Sequence, residues 1–388
     1  MDWLNYHLSF SNYTREKNNI WFVDERWNAI FKMNSNTYEP IYENFPIENP
    51  EKGAAYSRIA KWKDTIFLLP FSAKSPLYFI KNGIHRLLYL PEMMVDFKYG
   101  FRSVIQCENH LYVFFFNRYY AYMDIDLNEV TFKLRKWDKF PEVCNTDGYD
   151  VGTTCIYKKK KIWSVIRGSS YVISFNIKDL TTNMYDMGAD VSFDAGFQIK
   201  NGIGYALANH GSKLVSFSIE NPKSKSIKEI AAQLEHGYFD SFYITDNSLV
   251  LLPNGDINIS YVELSSSKIS YIDLPREFKW IEDYRYKRGN RFGCFECVGD
   301  NLVLYPRTGN GIIFINTKTM EVEFKELKIN MYNIQMQLAK SNKLNKVETF
   351  GDSPLILALV KQSDDSANNF KLKRYCGNRI YREIMDKL

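Results

Sequence analysis

The chain has 388 residues, of which 45% are hydrophobic and 24% are charged. This balance is that of a globular protein and excludes wholesale disorder or a collagen-like fibre. Aromatic residues make up 16%, which predicts many β-strands or a very aromatic core. The net charge of +5 lies largely in residues 331–388, which hold 10 Lys and Arg against 6 Asp and Glu. General nucleic-acid binding through the main body is therefore not expected.

Membrane and secretion signals are not visible in the sequence. The longest apolar run, at 111–116, is far shorter than the roughly 20 residues of a membrane-spanning helix. The first residues show neither the basic start nor the apolar core of a secretory signal, so a cytoplasmic location is expected. Six cysteines in so long a chain predict no disulfide framework, and the Lys-, Asn-, Ile- and Tyr-rich composition is typical of an AT-rich bacterial genome.

Short apolar strands, each preceded by a polar turn, recur along the chain. Their first positions lie 41 to 53 residues apart and define seven copies, which begin at Ile20, Ile66, Leu111, Ile162, Ile203, Leu249 and Leu302. In most copies a second apolar strand then ends in a polar residue that opens a turn, as at Asn34 and Asn316; the second copy, near Lys81, fits this pattern less well. The third copy is clearest, with predicted strands at 102–108, 110–116, 118–125 and 130–137.

Four antiparallel strands per copy, at this period, resemble the blades of β-propellers of the WD40 and kelch kinds. The resemblance covers about residues 4–330 and is architectural, because the WD40 signature occurs only once, as Trp137-Asp138, and the kelch glycine pairs are missing. It implies an all-β, seven-bladed β-propeller of four-stranded antiparallel blades that begin near residues 4, 54, 101, 150, 192, 238 and 290. A stacked pair of β-sandwiches is the alternative.

Residues 331–388 break the period and are predicted to form a short C-terminal extension containing a helix. Asn378 could cap this helix, and Ile380, Ile384 and Leu388 would share one face. So short a helix is marginal alone, so it is expected to dock on the flank of the propeller or on a partner.

In a propeller, the loop before each innermost strand and the loop between its second and third strands open on one face, around the central channel. Asp24 and Asn254 occupy such positions, and so do the residues that we select as candidates. The candidate ligand-binding residues are Arg26, Tyr56, Arg58, Arg102, Arg118, Arg167, His210, Arg291 and Arg307. The candidate catalytic residues are Asp150, Asp194 and Asp240. Recurring arginines suit a carboxylate, a phosphate or an anionic sugar, although they could equally solvate the loops or pair with the aspartates.

Three further motifs favour structural interpretations. Cys294 and Cys297 have the spacing of half a zinc site, but no second pair completes it, so no metal is expected. The acidic run at 124–129 lacks the glycine and glutamate of a calcium loop and predicts a hairpin turn. Lys158–Lys161 falls between the first two strands of the fourth blade, where a solvated surface is expected and a phosphate or acidic-partner contact is the second interpretation.

No phosphate-binding loop, metalloprotease, hydrolase or kinase signature is present in the sequence. The leading hypothesis is a non-catalytic propeller that binds a protein or peptide on its loop face, with the C-terminal segment as a second contact and no cofactor. The alternative is a carbohydrate-active propeller, a glycosidase, lyase or lectin, that acts on an anionic sugar at the central channel.

Overall fold

The computed structural model is a wheel of seven antiparallel sheets with one additional strand pair. It describes residues 5–8, 10–24, 29–44, 56–70, 76–82, 84–89, 101–115, 121–138, 150–152, 154–230, 238–254, 258–280, 292–307 and 309–330. The predicted seven-bladed β-propeller is confirmed. The predicted C-terminal helix lies outside the described residues.

Each blade takes its four strands consecutively from the chain, from the hub to the rim. The strands of blade 1 are β2 (Phe10–Glu16), β3 (Asn19–Asp24), β4 (Ala29–Asn34) and β5 (Pro40–Asn44). Those of blade 2 are β6 (Tyr56–Trp62), β7 (Thr65–Pro70), β8 (Leu77–Lys81) and β9 (Ile84–Leu88). Those of blade 3 are β10 (Phe101–Cys107), β11 (His110–Phe115), β12 (Ala121–Asp126) and β13 (Thr131–Lys136). Before them, β1 (Asn5–His7) opens the chain.

The first strand of blade 4 is split in two, whereas blades 5 to 7 repeat the simple pattern. The strands of blade 4 are β14 (Asp150–Val151), β15 (Ile156–Lys158), β16 (Lys161–Arg167), β17 (Tyr171–Asn176) and β18 (Thr182–Asp186). Those of blade 5 are β19 (Phe193–Lys200), β20 (Ile203–Ala208), β21 (Lys213–Ser218) and β22 (Lys225–Glu229). Those of blades 6 and 7 are β23 (Tyr238–Ile244), β24 (Ser248–Asn254), β25 (Ser260–Glu263) and β26 (Ile269–Tyr271); and β27 (Phe292–Val298), β28 (Asn301–Pro306), β29 (Gly311–Asn316) and β30 (Val322–Glu326). After them comes β31 (Lys328–Asn330).

The apolar core is divided among the junctions between neighbouring blades. Each of seven buried clusters takes its side chains from two adjacent sheets, and the cluster at blades 3 and 4 packs Tyr122 and Trp137 against Phe175. Second and third strands are buried on both faces, as along β3, while the outer strand β13 alternates between half-buried and exposed. A single blade could not cover both of its faces, which explains the high aromatic content of the chain.

One face of the wheel, which we call the turn face, carries the turns between first and second strands and between third and fourth strands. Its turns are regular: the side chains of Asn34, Asp126, Asn176 and Asn316 each accept the N–H of the residue two positions later, at 2.8 to 3.0 Å. These are the polar residues that closed the second predicted strand. Such local bonds fix a turn without help from the rest of the fold.

The wheel closes without exchanging a strand between its first and last blades. Instead β1 pairs antiparallel with β31, and β31 also contacts β5 of blade 1. At the hub, a Cβ atom added to Gly293 in blade 7 would lie 1.7 Å from the carbonyl oxygen of Phe10 in blade 1. The two backbones therefore touch where only glycine fits.

A buried carboxylate joins the same two blades. Glu296 of β27 accepts two hydrogen bonds from the Arg15 guanidinium, at 3.1 and 2.5 Å, and its side chain is only 12% exposed. The Tyr305 hydroxyl donates to Glu296 at 2.5 Å and that of Tyr13 at 3.4 Å. Burial, together with the neighbouring carboxylate, raises the pKa of both tyrosines, so they remain donors at neutral pH.

Candidate functional site

The opposite face, which we call the loop face, carries the loops that lead into the innermost strands and those between second and third strands. At this face every innermost strand is interrupted near its start. In six blades an aromatic residue begins the strand and the pairing register shifts at once, between Phe10 and Tyr13, Tyr56 and Arg58, Phe101 and Ser103, Phe193 and Phe197, Phe239 and Ser241, and Phe292 and Cys294. In blade 4 the break separates β14 from β15. Bulges re-aim side chains and are common beside active sites, so these seven breaks, the channel mouth, are where we look for a site.

Several candidate residues stand at the channel mouth. Arg102, Asp194 and Asp240 are inserted at the register shifts of blades 3, 5 and 6, and Asp150 pairs with Arg167 across β14 and β16. For Arg102, Asp150 and Asp240 the strand position is described, whereas their side chains lie outside the description. Asp194 is the candidate carboxylate whose contacts can be followed.

Tyr56 and Arg58 of blade 2 have contacts inside the protein. Tyr56 is fully buried and its hydroxyl donates to the Pro76 carbonyl at 3.3 Å. The Arg58 guanidinium donates to the carbonyls of Ser11 and Ser57, at 3.3 and 3.2 Å, and so bridges blades 1 and 2. Ser11 adds a second bridge, because its hydroxyl donates to the Ser57 carbonyl at 2.5 Å. These contacts hold the hub together.

Asp194 is a buried carboxylate at the edge of solvent. One of its oxygens accepts the Gly211 N–H at 2.9 Å, and the other lies 3.9 Å from Nδ1 of His210. The Asp194 side chain is 10% exposed, whereas that of His210 is 83% exposed. Burial raises the pKa of Asp194, and the backbone N–H of Gly211 and the charges of His210 and Arg167 oppose this shift. A buried carboxylate whose pKa is shifted by desolvation and by specific charged partners marks a candidate functional site.

The turn that presents His210 is conformationally unusual. Asn209, His210 and Gly211 have positive φ angles of 55°, 59° and 84° in succession. The Asn209 side chain holds the turn in place, since it accepts the Ser192 N–H at 2.7 Å and donates to the Asp190 carbonyl at 2.9 Å. Non-glycine residues adopt this conformation at a cost, and such strain concentrates at ligand-binding positions.

Arg167 reaches the same place from blade 4. It ends β16, and the loop that follows is bonded to blade 5: Gly168 donates its N–H to the Phe193 carbonyl at 2.9 Å, and Phe193 donates to the Ser169 carbonyl at 2.8 Å. The structure therefore brings together three candidates that are far apart in sequence. We call Arg167, Asp194 and His210 the 4/5 cluster.

Two further residues selected at the loop face are described, and they lie in blades 7 and 1. Arg307 is half-buried and follows β28 in blade 7, and Asp24 is fully buried at the end of β3. Arg26, Arg118 and Arg291 lie outside the described residues, as does the side chain of Asn254.

Sequence reasoning missed the residues that support the cluster, namely Ser169, Asn209 and Gly211. The Asn-His-Gly order was an available signal, because Asn and Gly are the residues that tolerate a left-handed turn. The aromatic residue that begins the innermost strand in six of the seven blades was a second unused signal for the start of a blade.

The two cysteines of β27 are described, and both are reduced. Cys294 is half-buried, and Cys297 is exposed and lies 3.4 Å from the Gly299 carbonyl oxygen. Among the described residues, no group of three or more His, Cys, Asp or Glu side chains is placed to hold a metal ion. Within the same residues, no helix has the length and apolarity needed to cross a membrane.

Comparison with known proteins supports the fold. No family model matches the chain, and no curated protein matches it in sequence. A solved streptogramin B lyase superposes with a TM-score of 0.56 at 12% identity, over 84% of this chain and all of the other. A catalytically inactive histidine-to-alanine variant of virginiamycin B lyase from Staphylococcus aureus, solved with quinupristin, gives a TM-score of 0.56 at 11% identity, over 79% and 97% of the two chains. The WD40 repeats of RRP9 give 0.52 at 9% identity, over 78% and 88%. At these identities the likeness concerns architecture, and the chain is a divergent β-propeller.

Proposed function

We propose that this propeller is a binding protein that holds a protein or peptide partner on its loop face, with the 4/5 cluster as a principal contact. The observation that carries the proposal is the exposed His210 imidazole, which stands on a strained turn and is backed by the buried Asp194. Retaining both the strain and a buried carboxylate is unfavourable for folding, so a gain in binding is the physical reason to keep them.

The chemistry of the cluster indicates what the partner offers. His210 can donate and accept hydrogen bonds, and the Arg167 guanidinium provides a positive charge close to Asp194. A carboxylate or carbonyl of a peptide would complement these two groups. In this proposal the C-terminal extension, residues 331–388, supplies a second, basic contact in a bacterial cytoplasmic protein.

Partner capture by matched variants tests the proposal. Tagged wild-type protein, a His210→Asn variant and a Lys223→Gln control would be used as baits, and captured proteins would be quantified by mass spectrometry. Asn tolerates the left-handed turn, so the fold is retained while the imidazole is lost. Lys223 is an exposed residue of the turn face, on the other side of the wheel. We expect the captured amount of one partner protein to fall at least about tenfold with the His210→Asn bait, which corresponds to a loss of about 1.4 kcal/mol in binding free energy. The Lys223→Gln bait should capture as much of it as the wild type. Equal capture by all three baits would refute the assignment.

The raised pKa of Asp194 favours a second candidate, acid–base chemistry on an anionic sugar at the channel mouth. A carboxyl group whose pKa is raised by burial is the usual general acid of a glycosidase. Release of reducing ends from polygalacturonate, lost in Asp194→Asn, would support it. Turnover of such a substrate without retention of any protein partner would replace the binding proposal with this one.

A further inference from the structure

The turn face has one position that departs from its own repeat. In six blades a two-residue turn joins the first strand to the second, and the pairs are Lys17-Asn18, Lys63-Asp64, Glu108-Asn109, Lys159-Lys160, Asn201-Gly202 and Gly299-Asp300. The second residue is Asn, Asp or Gly in five of them, as such tight turns favour. In blade 4 it is Lys160.

The geometry of this turn is the one that lysine fits poorly. Lys159 and Lys160 have φ angles of 52° and 60°, close to the 51° and 78° of Asn201 and Gly202 in blade 5. A long side chain in this region is unfavourable, whereas Asn followed by Gly is the preferred pair. Blade 5 therefore shows the residues that would relax the same turn.

Charge adds a second unfavourable feature. Lys158 and Lys161 flank the turn and pair directly across the strands, where like charges repel. Lys159 forms an ion pair with Glu220, both of which are well exposed. Among the described residues no ion pair is made by Lys158 or Lys160, and both are exposed.

The adjoining turn of the same blade extends the positive charge. Lys178 is exposed, and its neighbour Ile177 donates an N–H to the Lys160 carbonyl at 3.2 Å, so the two turns are locked together. The nearby Asp179 carboxylate is already engaged by Thr181 and Asn176 within its own turn. We call Lys158–Lys161 and Lys178 the lysine turn.

We infer that the lysine turn is a docking surface for an acidic segment of a partner protein, on the face opposite to the 4/5 cluster. This one turn of a regular repeat has a lysine where the backbone favours Asn, Asp or Gly, and it has like charges paired across the strands. No ion pair within the described residues compensates Lys158 or Lys160, and such uncompensated departures are typical of a functional position. The size of the patch selects the partner class. Glu108, in the same turn of blade 3, and Glu220 of blade 5 are exposed on the two neighbouring blades and confine the positive charge to one blade, whereas nucleic acid and anionic membranes favour broad basic surfaces. Successive carboxylates of an extended acidic peptide would reach these ammonium groups.

Binding of a fluorescein-labelled hexaglutamate peptide, followed by anisotropy in 50 mM and 200 mM salt, tests the inference. The test variant is Lys158→Gln with Lys160→Gln, and the matched control is Lys223→Gln with Lys268→Gln, which removes the same charge from exposed residues in blades 5 and 6 of the same face. We expect the test variant to weaken binding at least about tenfold and the control less than about twofold. Equal weakening, or no binding by the wild type, overturns the inference.

Two further probes separate the partner classes. A 20-nucleotide single strand of DNA and vesicles of phosphatidylserine and phosphatidylcholine would be titrated under the same conditions. Both are expected to bind the wild type more weakly than hexaglutamate. If either binds as tightly, and loses binding in the test variant, the acidic-peptide assignment is wrong.

A single substitution checks the premise about strain independently of any ligand. Lys160→Gly relieves the backbone and one repulsive charge, so the melting temperature should rise by about 2 °C, while hexaglutamate binding weakens. A melting temperature that stays constant or falls would show that Lys160 carries no folding penalty and would remove the reason for the inference. The 4/5 cluster is unchanged in every variant used here, so failure of this proposal leaves the loop-face proposal to its own test.

Discussion

Glu296 and Asp194 are carboxylates of nearly equal burial, with side chains 12% and 10% exposed, yet they lie at junctions that serve different ends. At the junction of blades 7 and 1, Glu296 is surrounded by donors from Arg15, Tyr13 and Tyr305. At the junction of blades 4 and 5, Asp194 receives the Gly211 N–H and faces an imidazole at a distance of 3.9 Å. A carboxylate surrounded by donors from two blades joins them, whereas one that lies beneath an exposed imidazole has a group beside it that a ligand can reach.

The largest effect is expected at the closing junction itself. Gly293→Ala places a Cβ atom 1.7 Å from the Phe10 carbonyl oxygen, so the backbones of blades 7 and 1 must separate. We expect a loss of more than about 3 kcal/mol in the free energy of unfolding, measured by denaturant titration. Gly299→Ala is the control for the steric clash, because nothing lies within 4 Å of the added atom there; its φ of +61° alone should cost only about 1 kcal/mol. A similar loss in both variants would mean that the hub contact is unimportant.

The second-largest loss of stability is expected when the charge of Glu296 is removed. Glu296→Gln leaves the Arg15 guanidinium opposite a neutral amide, and we expect a loss of about 2 kcal/mol, less than for a fully buried pair because Arg15 is 34% exposed. Glu323→Gln, at an exposed position of blade 7, should change little. A double-mutant cycle with Arg15→Met isolates the pair, and a coupling near zero would contradict its role in closure.

Asp194→Asn should act in the opposite direction on stability. Burial raises the pKa of Asp194 above its unfolded value, so wild-type stability falls as pH rises from the unfolded pKa, near 3.9, through the folded pKa. The amide can still accept the Gly211 N–H and carries no buried charge, so the variant should be more stable by about 1 kcal/mol at pH 7. This gain should shrink as pH falls through the folded pKa and vanish below about pH 3.9, where the wild-type carboxyl becomes protonated in both states. Thermal melting across pH 3.5 to 7 measures it; a variant less stable than wild type at pH 7 would make Asp194 a structural residue like Glu296.

The smallest stability change is expected for His210→Asn. The side chain is largely exposed and Asn tolerates the φ of 59°, so the free energy of unfolding should stay within about 0.5 kcal/mol of the wild type. A large loss in denaturant titration would show that the imidazole stabilises the turn, and the contrast between the two junctions would then disappear.

The sequence was sufficient for the architecture because the repeating features are local. The predicted strands at Ile20, Leu111 and Leu249 fall in β3, β11 and β24, where burial on both faces demands continuous apolar runs. In four blades a polar residue such as Asn34 closes the third strand through bonds to its own turn.

The channel mouth was harder to predict, because a register shift depends on contacts with another blade. Ser11 bonds to Ser57, 46 positions away in sequence, and no local pattern shows whether Tyr56 faces the core or the channel. Arg58 resembles an anion-binding arginine in the sequence, yet in the fold its guanidinium meets backbone carbonyls. Sequence patterns predict which residues lie at the loop face, but the bulges of the innermost strands determine which of their side chains come into contact.

The pairing of β1 with β31 also determines when the propeller can close during synthesis. Asn5 is synthesised 325 residues before its partner Asn330. At a translation rate of about 5 to 20 residues per second, roughly 15 to 65 s pass before blade 7, the neighbour that closes the wheel on blade 1, has been synthesised. During that interval the apolar side of blade 1 that later meets blade 7 is uncovered, so a nascent chain stalled before residue 330 is the species that should require a chaperone.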